Sequence, residues 1–136
     1  MIRIGALALL AGCGGAIGVV LEGGEKLNPT REGKATPVNV SLFQLKSDTA
    51  FGRADFEDLW KRDAETLKDD RLEKIEKTLF PGQELKFEIK KKDGVWFIGV
   101  FGAFSDPSKG PWKYLVSLEK ESEVRLRLDE HRIEKK

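Results

Sequence analysis

The chemistry open to this chain depends on few reactive side chains, because it contains one cysteine, Cys13, and one histidine, His131. A single cysteine cannot close an internal disulfide, and no cluster of cysteine or histidine is available to bind a metal. His131 lies near a charged tail, and no cysteine, serine or aspartate completes a recognisable catalytic constellation with it. The carboxylate pairs Asp69-Asp70 and Asp129-Glu130 lack the spacing of a calcium loop, so solvated turns are the favoured interpretation. The sequence therefore predicts no enzyme, no metal site and no cofactor.

The residues before Cys13 indicate a different chemistry for its thiol. Arg3 supplies a short positive start, and residues 4–10 form an apolar stretch of the kind found in secretory signals. The string Leu10-Ala11-Gly12-Cys13 resembles the lipobox, the processing signal of bacterial lipoproteins. That resemblance implies cleavage before Cys13, a diacylglyceryl thioether on its sulfur and acylation of the new amino group. The short positive start leaves open a start codon upstream of Met1.

Several acyl chains on Cys13 would hold the protein on a bilayer, because each buried methylene contributes about 0.8 kcal/mol and one chain alone binds only marginally. In the lipoprotein pattern an aspartate after the cysteine favours the inner membrane. Gly14 stands there instead, which indicates the periplasmic face of the outer membrane. We expect a signal peptide at 1–12, a lipidated tether at 13–15 and a periplasmic domain at 16–136. The alternative is a short buried segment with a core cysteine.

Composition narrows the classes of partner. The 136 residues suit one domain, and 24 basic residues nearly balance 23 acidic residues. Nucleic-acid binding depends on phosphate neutralisation by clustered cations, so this balance argues against it. No run of about 18 apolar residues exists that would cross a bilayer as a helix. A small-molecule substrate is not indicated either.

Alternating apolar residues predict a chain made mainly of short strands. A nearly all-apolar strand at 95–104 should be buried on both faces, and Gly94 after Asp93 is typical of a hairpin connection. The run Lys90-Lys91-Lys92 is then a solvated hairpin tip, with contact to anionic lipid head groups as the alternative. Seven or eight strands with regular turns predict a two-sheet β-sandwich. The remaining strands are expected near residues 17–21, 38–45, 72–80, 85–89, 112–118 and 124–128, with a last short strand at Ile133.

One segment changes to helical periodicity. Phe56, Leu59, Trp60, Ala64 and Leu67 share one helical face, and Asp55 is a good N-cap. We expect a helix over 55–67, with a break near Arg62 as an alternative, lying across an end or open edge of the sheet. The three tryptophans, Trp60, Trp96 and Trp112, are interpreted as packing residues rather than ligand platforms.

Several short strings follow one another along the chain in this order: Leu27-Asn28-Pro29, Gly33, PVNVSLFQLK at 37–46, Phe51, ADFEDL at 54–59, LFPG at 79–82, FIGVFGAF at 97–104 and Trp112. Their order and spacing resemble the TssJ family (also called VasD or SciN-like) of type VI secretion lipoproteins. The succession of an apolar strand, Gln44-Leu45, Phe51 and Asp55 is the most specific part. The resemblance implies a mainly β, transthyretin-like two-sheet β-sandwich with a short helical insertion after the second strand.

The same resemblance implies a role in binding and anchoring. Such lipoproteins hold the periplasmic carboxyl-terminal region of the inner-membrane protein TssM, and indirectly TssL, at the outer membrane. In the family, the loop between the first two strands is tied to TssM contact, and here that loop covers about 23–37. The alternative is an unrelated periplasmic lipoprotein whose transthyretin-like sandwich binds a small ligand or a cell-wall polymer. The candidate contact residues are Glu25, Lys26, Asn28, Arg31 and Lys34.

Overall fold

The alternating segments form eight strands in the computed structural model, which describes residues 15–136. Cys13 and the rest of the lipobox lie outside the described residues, so the predicted processing and lipidation stay predictions. Three short α-helices separate the second strand from the third. The strands are β1 (Ala16–Gly23), β2 (Val38–Leu45), β3 (Arg71–Leu79), β4 (Glu84–Lys90), β5 (Phe97–Gly102), β6 (Lys113–Ser117), β7 (Glu123–Asp129) and β8 (Arg132–Lys135). The helices are α1 (Thr49–Arg53), α2 (Phe56–Lys61) and α3 (Asp63–Leu67).

Two four-stranded sheets pack face to face. One has the order β4-β1-β7-β8, and the other has the order β3-β2-β5-β6. β1 pairs antiparallel with β4 and parallel with β7. The inward side chains of both sheets, among them Val19, Leu21, Val40, Leu42 and Val100, form one apolar core. The predicted mainly β, two-sheet sandwich with a helical insertion after the second strand is confirmed.

The segment before β5 corrects one prediction, because residues 91–94 do not close a hairpin. β4 pairs with β1 and β5 pairs with β2, so this connection crosses from one sheet to the other. The side chain of Gln44, 2% exposed, stabilises the crossing. Its Nε2 donates to the Lys90 carbonyl at 3.0 Å, and its Oε1 accepts from the Lys92 N–H at 2.9 Å. Side-chain hydrogen bonds of Gln44, on the inner face of β2, therefore hold this connection in place of the backbone hydrogen bonds of a hairpin.

The helices cover the outer face of the second sheet rather than an end or open edge, which corrects a second prediction. The reason is that β2 and β5 place Phe43, Leu45 and Phe101 on that outer face, where they need a cover. Phe51 of α1 supplies part of it. The Phe51 ring lies where a Cβ on Gly99 would stand, at 2.7 Å, so glycine is required for this close approach. In β5 and the later part of β2 apolar residues do not alternate with polar ones, and this pattern is the signal in the sequence that both faces of the sheet are covered.

The predicted break near Arg62 divides the helical insertion into α2 and α3. Asp55 caps α2 as expected, since its side chain accepts from the Asp58 N–H while the Asp58 side chain accepts from the Asp55 N–H. The helix α1, which ends before this cap, was not predicted. Its C-terminal carbonyls at Phe51, Gly52 and Ala54 accept from the Lys113 ammonium at 2.7 to 3.0 Å.

Two of the three tryptophans were placed wrongly. Trp112 packs as predicted, edge-on against Phe56 and Phe101 at centroid distances of 5.3 and 5.9 Å. Trp60 and Trp96 were expected in the core or at packed edges, yet they are 56% and 54% exposed. Trp60 lies on the solvent side of α2, and Trp96 precedes the first paired residue of β5. Periodicity alone did not distinguish a sheet-facing ring from a solvent-facing ring.

β1 spans the sandwich and defines its two ends, which lie roughly 23 Å apart at about 3.3 Å per residue. The amino-terminal pole consists of residues 15–16, 90–96 and 118–122, where β1 begins. The loop pole consists of residues 24–37, 80–83, 105–110 and 129–131, where β1 ends.

Candidate functional site

The predicted contact loop, residues 24–37, has an ordered core built around Asn28. The Asn28 side chain is 7% exposed and bonds entirely within the protein. Its Nδ2 donates to the Pro37 carbonyl at 3.0 Å, and its Oδ1 accepts from the Ser105 N–H at 2.9 Å and from Ser105 Oγ at 3.1 Å. The backbone of Asn28 takes the left-handed conformation, with φ of 44°. Asn28 thus joins both ends of the loop to the segment after β5.

A second attachment ties the start of the loop to the turn between β7 and β8. The Asp129 carboxylate accepts from the Lys26 N–H at 3.1 Å. It also occupies the space a Cβ on Gly24 would need, at 2.1 Å, which explains the glycine. Backbone bonds join Asn28 to Glu130 and Glu130 to Lys26 at 2.8 and 3.2 Å. Asp129 is therefore a positioning residue of the loop, whereas the sequence indicated only a solvated carboxylate pair.

The tip of the loop closes on itself. The Thr30 N–H donates to the Lys34 carbonyl at 2.9 Å, and the Gly33 N–H donates to the Thr30 carbonyl at 2.9 Å. Gly33 has φ of 88°, a conformation that favours glycine. Arg31 and Lys34 are exposed on this closed tip. A loop ordered before binding loses less conformational entropy when a partner docks.

The five predicted contact residues therefore divide into two kinds. Asn28 is buried and shapes the loop, because the oxygen and the nitrogen of its side-chain amide both form hydrogen bonds within the protein. The other four side chains are exposed at the loop pole: Glu25, Lys26, Arg31 and Lys34.

A polar cleft of about 400 Å³ lies between the loop and the segment after β5. His131 closes its base and is 8% exposed, rather than standing free near the charged tail. Its Nε2 lies 3.2 Å from the Pro29 carbonyl oxygen and 3.4 Å from Ser105 Oγ. At the rim, a hydrogen bond from the Ser108 side chain lowers the pKa of Asp106 below its ordinary value. The cleft is lined by Pro29, Thr30, Arg31, Thr36, Ser105, Asp106, Lys109 and His131.

Phe80 extends the loop pole with an apolar side chain that sequence reasoning did not single out. It follows β3 directly and is 51% exposed. The neighbouring Gly82 N–H donates to the Gly23 and Gly24 carbonyls at 3.0 and 3.2 Å, which brings this turn against the start of the loop. A Pro-Gly pair such as Pro81-Gly82 is typical of a turn, but nothing in the sequence indicates that the preceding ring is exposed.

No group of three or more histidine, cysteine, aspartate or glutamate side chains is placed to hold a metal within residues 15–136. In the same residues, no helix combines the length and apolar character needed to cross a membrane. The loop pole combines exposed charges, one exposed ring and a pre-ordered backbone, which suits the recognition of a protein surface.

Comparisons with known proteins agree with this geometry. The family model described as "Type VI secretion lipoprotein, VasD, EvfM, TssJ, VC_A0113" matches residues 16–132. The crystal structure of the T6SS lipoprotein TssJ1 from Pseudomonas aeruginosa is 30% identical, with a TM-score of 0.82 over 88% of this chain and 92% of that chain. No curated protein sequence matches this chain.

Two further solved structures share the fold at lower identity. A chain of a type VI membrane complex is 23% identical, with a TM-score of 0.81 over 89% of this chain and 97% of its own length. A chain in the structure of the T6SS protein TssM C-terminal domain (869–1107) from EAEC is 20% identical, with a TM-score of 0.76 over 88% of this chain and 95% of its own length.

Proposed function

Because this chain belongs to the type VI secretion lipoprotein family, we propose that it binds the periplasmic region of TssM and anchors it at the outer membrane. Acyl chains on Cys13, which becomes the first residue when residues 1–12 are removed, would attach the domain to the periplasmic face of that membrane. TssL would be held indirectly through TssM. The role is one of binding and attachment, with no chemical step.

The placement of the two ends of the sandwich is the observation that carries this proposal. The described chain begins at Gly15, two residues after Cys13, so a lipid on Cys13 would lie within about 7 Å of the amino-terminal pole. The loop of residues 24–37 lies at the opposite end of β1. A domain attached at one pole leaves the other free to bind a protein that arrives from the periplasm.

The chemistry of the loop pole supports a protein partner. Arg31, Lys34 and Glu25 present charges of both signs, which favour orientation and association rate over raw affinity. Phe80 adds an exposed aromatic ring, a type of side chain that is enriched at protein interfaces. A chain of this fold also occurs in a solved structure of the TssM C-terminal domain.

A cell-wall polymer is less well supported as the ligand. Polymers of sugars are usually held against exposed aromatic rings in a groove, whereas no aromatic side chain lines the polar cleft beside the loop. The three exposed rings of the described chain, Trp60, Phe80 and Trp96, lie on three separate parts of the sandwich.

The proposal is tested by measuring the affinity of the periplasmic region of TssM for a variant of this protein whose loop charges are reversed. Arg31→Glu with Lys34→Glu alters exposed tip residues and leaves Asn28 intact. We expect the affinity for TssM to fall roughly tenfold or more, which corresponds to about 1.4 kcal/mol. Most of this loss should be a lower association rate constant, because the reversed charges no longer attract the partner. The matched control reverses Lys61 and Lys86, which are 58% and 70% exposed on α2 and β4, and should bind normally. Equal affinity of the loop variant and the control would reject the loop as the TssM site.

A further inference from the structure

The amino-terminal pole carries a group of residues that the proposed binding role leaves unused. Trp96 is 54% exposed there, although it lies between two well-packed segments of the chain. Its N–H donates to the Leu45 carbonyl, and its carbonyl accepts from the Leu118 N–H, both at 2.9 Å. The backbone at Trp96 is therefore held in place while the indole remains in contact with solvent.

Lysines surround the start of β1 at the same pole. Lys90 is the register partner of Ala16, and the Lys91 N–H donates to the Gly15 carbonyl at 3.0 Å. Gln44 holds this stretch through its bonds to Lys90 and Lys92. The lysine run is thus brought to the point where the chain continues toward Cys13, and it is not the tip of a hairpin.

The carboxylates near this pole differ in their pairing. Glu121 pairs with Lys135 at 3.0 Å and Glu73 lies 3.9 Å from Lys92, whereas Asp93 and Glu119 form no ion pair within residues 15–136. Within residues 15–136, Lys90 and Lys91 form no ion pair. These two ammonium groups remain available for phosphate groups outside the protein. The Lys92 ammonium is available as well, because its side chain is 51% exposed and its contact with Glu73 is long, at 3.9 Å.

We propose that the amino-terminal pole is a membrane-contacting surface, in which Trp96 enters the interface of the bilayer and Lys90, Lys91 and Lys92 bind lipid phosphates. The inference rests on the proposed lipid anchor at Cys13. An anchor within about 7 Å of Gly15 brings this pole to the head groups, whatever the direction of the one intervening residue, Gly14. Tryptophan favours the membrane interface because its ring is amphipathic, and lysines near an anionic surface are attracted to it. The contact would fix the orientation of the sandwich and direct the loop pole away from the membrane.

Fluorescence quenching on vesicles tests the tryptophan. The mature lipidated protein is reconstituted into vesicles of phosphatidylethanolamine and phosphatidylglycerol that carry brominated acyl chains. Trp60, 56% exposed on α2, supplies a control of matched exposure away from this pole. Lipid-dependent quenching should persist in Trp60→Phe and disappear in Trp96→Phe. Equal quenching in the two variants would overturn the membrane contact.

Flotation of the same samples separates this inference from the anchor. If the variants float with the vesicles but quench alike, the anchor stands and the membrane-contacting pole is wrong. If none of them floats, the anchor fails, and this inference fails with it.

A second comparison tests the lysines. Replacing Lys90, Lys91 and Lys92 together with glutamine should reduce Trp96 quenching on the anionic vesicles. Replacing Lys26, Lys34 and Lys109 at the loop pole removes the same charge and should leave quenching unchanged. If quenching falls equally in both triple variants, the effect is due to net charge, and the proposed role of the lysine run is wrong.

Discussion

At the scale of single residues, the loop shows how one buried polar side chain can shape a candidate binding surface from within the protein. Asn28 was selected with four charged residues because all five lie in the same loop of the sequence. In the structure Asn28 differs from the four charged residues, because its side-chain amide forms hydrogen bonds with Pro37 and Ser105. The sequence could not show this, because Ser105 is distant in the chain and meets Asn28 only after the sheets have formed.

Asn28→Ala should therefore lower the stability of the protein and alter the conformation of the loop. The substitution leaves the Ser105 N–H and the Pro37 carbonyl without their partner, and we expect the free energy of unfolding to fall by about 1–3 kcal/mol. Urea denaturation measures the change. Asn39→Ala is the control, because Asn39 is exposed and accepts one hydrogen bond, from Thr78 at the surface. A loss in Asn28→Ala no larger than the loss in Asn39→Ala would contradict the positioning role.

Tryptophans mark the limit of residue-scale prediction. Trp96 and Phe97 are neighbours in an apolar run, yet Trp96 is exposed and Phe97 packs under the helical layer. Trp60 lies beside Leu59, which is 2% exposed. Helical and strand periods predicted that some residues of each segment would face the core. Which residues those would be depended on where the neighbouring elements lie.

At the scale of elements, the helical insertion is a layer attached to the sheet by packing and by charge. Phe51 packs on Gly99, and Lys113 from β6 binds the carbonyl end of α1. Burial lowers the pKa of the Lys113 ammonium, although the nearby Asp55 and Asp58 charges oppose that shift. The cap at Asp55 and the break near Arg62 were predicted because their signals are local. The helix α1 and the position of the layer were not, since both depend on the outer face of a sheet assembled from distant strands.

Asp63 attaches the end of this layer to β3 and predicts a pH dependence. Its carboxylate lies 2.7 Å from the Lys74 ammonium and 3.2 Å from the Arg71 guanidinium. Burial raises its pKa, but the hydrogen bond and charge of Lys74 outweigh burial, so the pKa is lower than its ordinary value. A carboxyl whose pKa is lower when folded stabilises the protein above its unfolded pKa of about 3.9, and that contribution is lost as the pH falls through the folded pKa.

Asp63→Asn should consequently lose about 1–3 kcal/mol of unfolding free energy at neutral pH, and the difference from the parent chain should shrink below about pH 4. Urea denaturation across pH measures both effects. Glu57→Gln serves as the control, since Glu57 and Lys61 form an exposed pair at 51% and 58% and contribute little. A difference that stays constant with pH would show that the charge of Asp63 does not attach α3 to the sheet.

At the scale of the whole molecule, strand positions were predicted more fully than strand pairing. Alternation located the strands near 17–21, 38–45 and 124–128, but the one strand pairing predicted, a hairpin through Asp93-Gly94, was wrong. β3 and β4 lie in different sheets, and so do β4 and β5. The resulting arrangement places the start of β1 and the loop after it at opposite ends of the sandwich. That separation would allow one chain to bind a membrane and a protein at the same time, as we propose.

Flotation of the periplasmic region of TssM tests that claim most directly. The TssM region is mixed with vesicles that carry the lipidated protein, and the amount that floats is measured. Full flotation is expected with the parent chain, and loss is expected with Cys13→Ser, which lacks the anchor, and with the Arg31→Glu, Lys34→Glu variant, which lacks the loop charges. Flotation of TssM that is undiminished in either variant, or absent with the parent chain, would contradict the account.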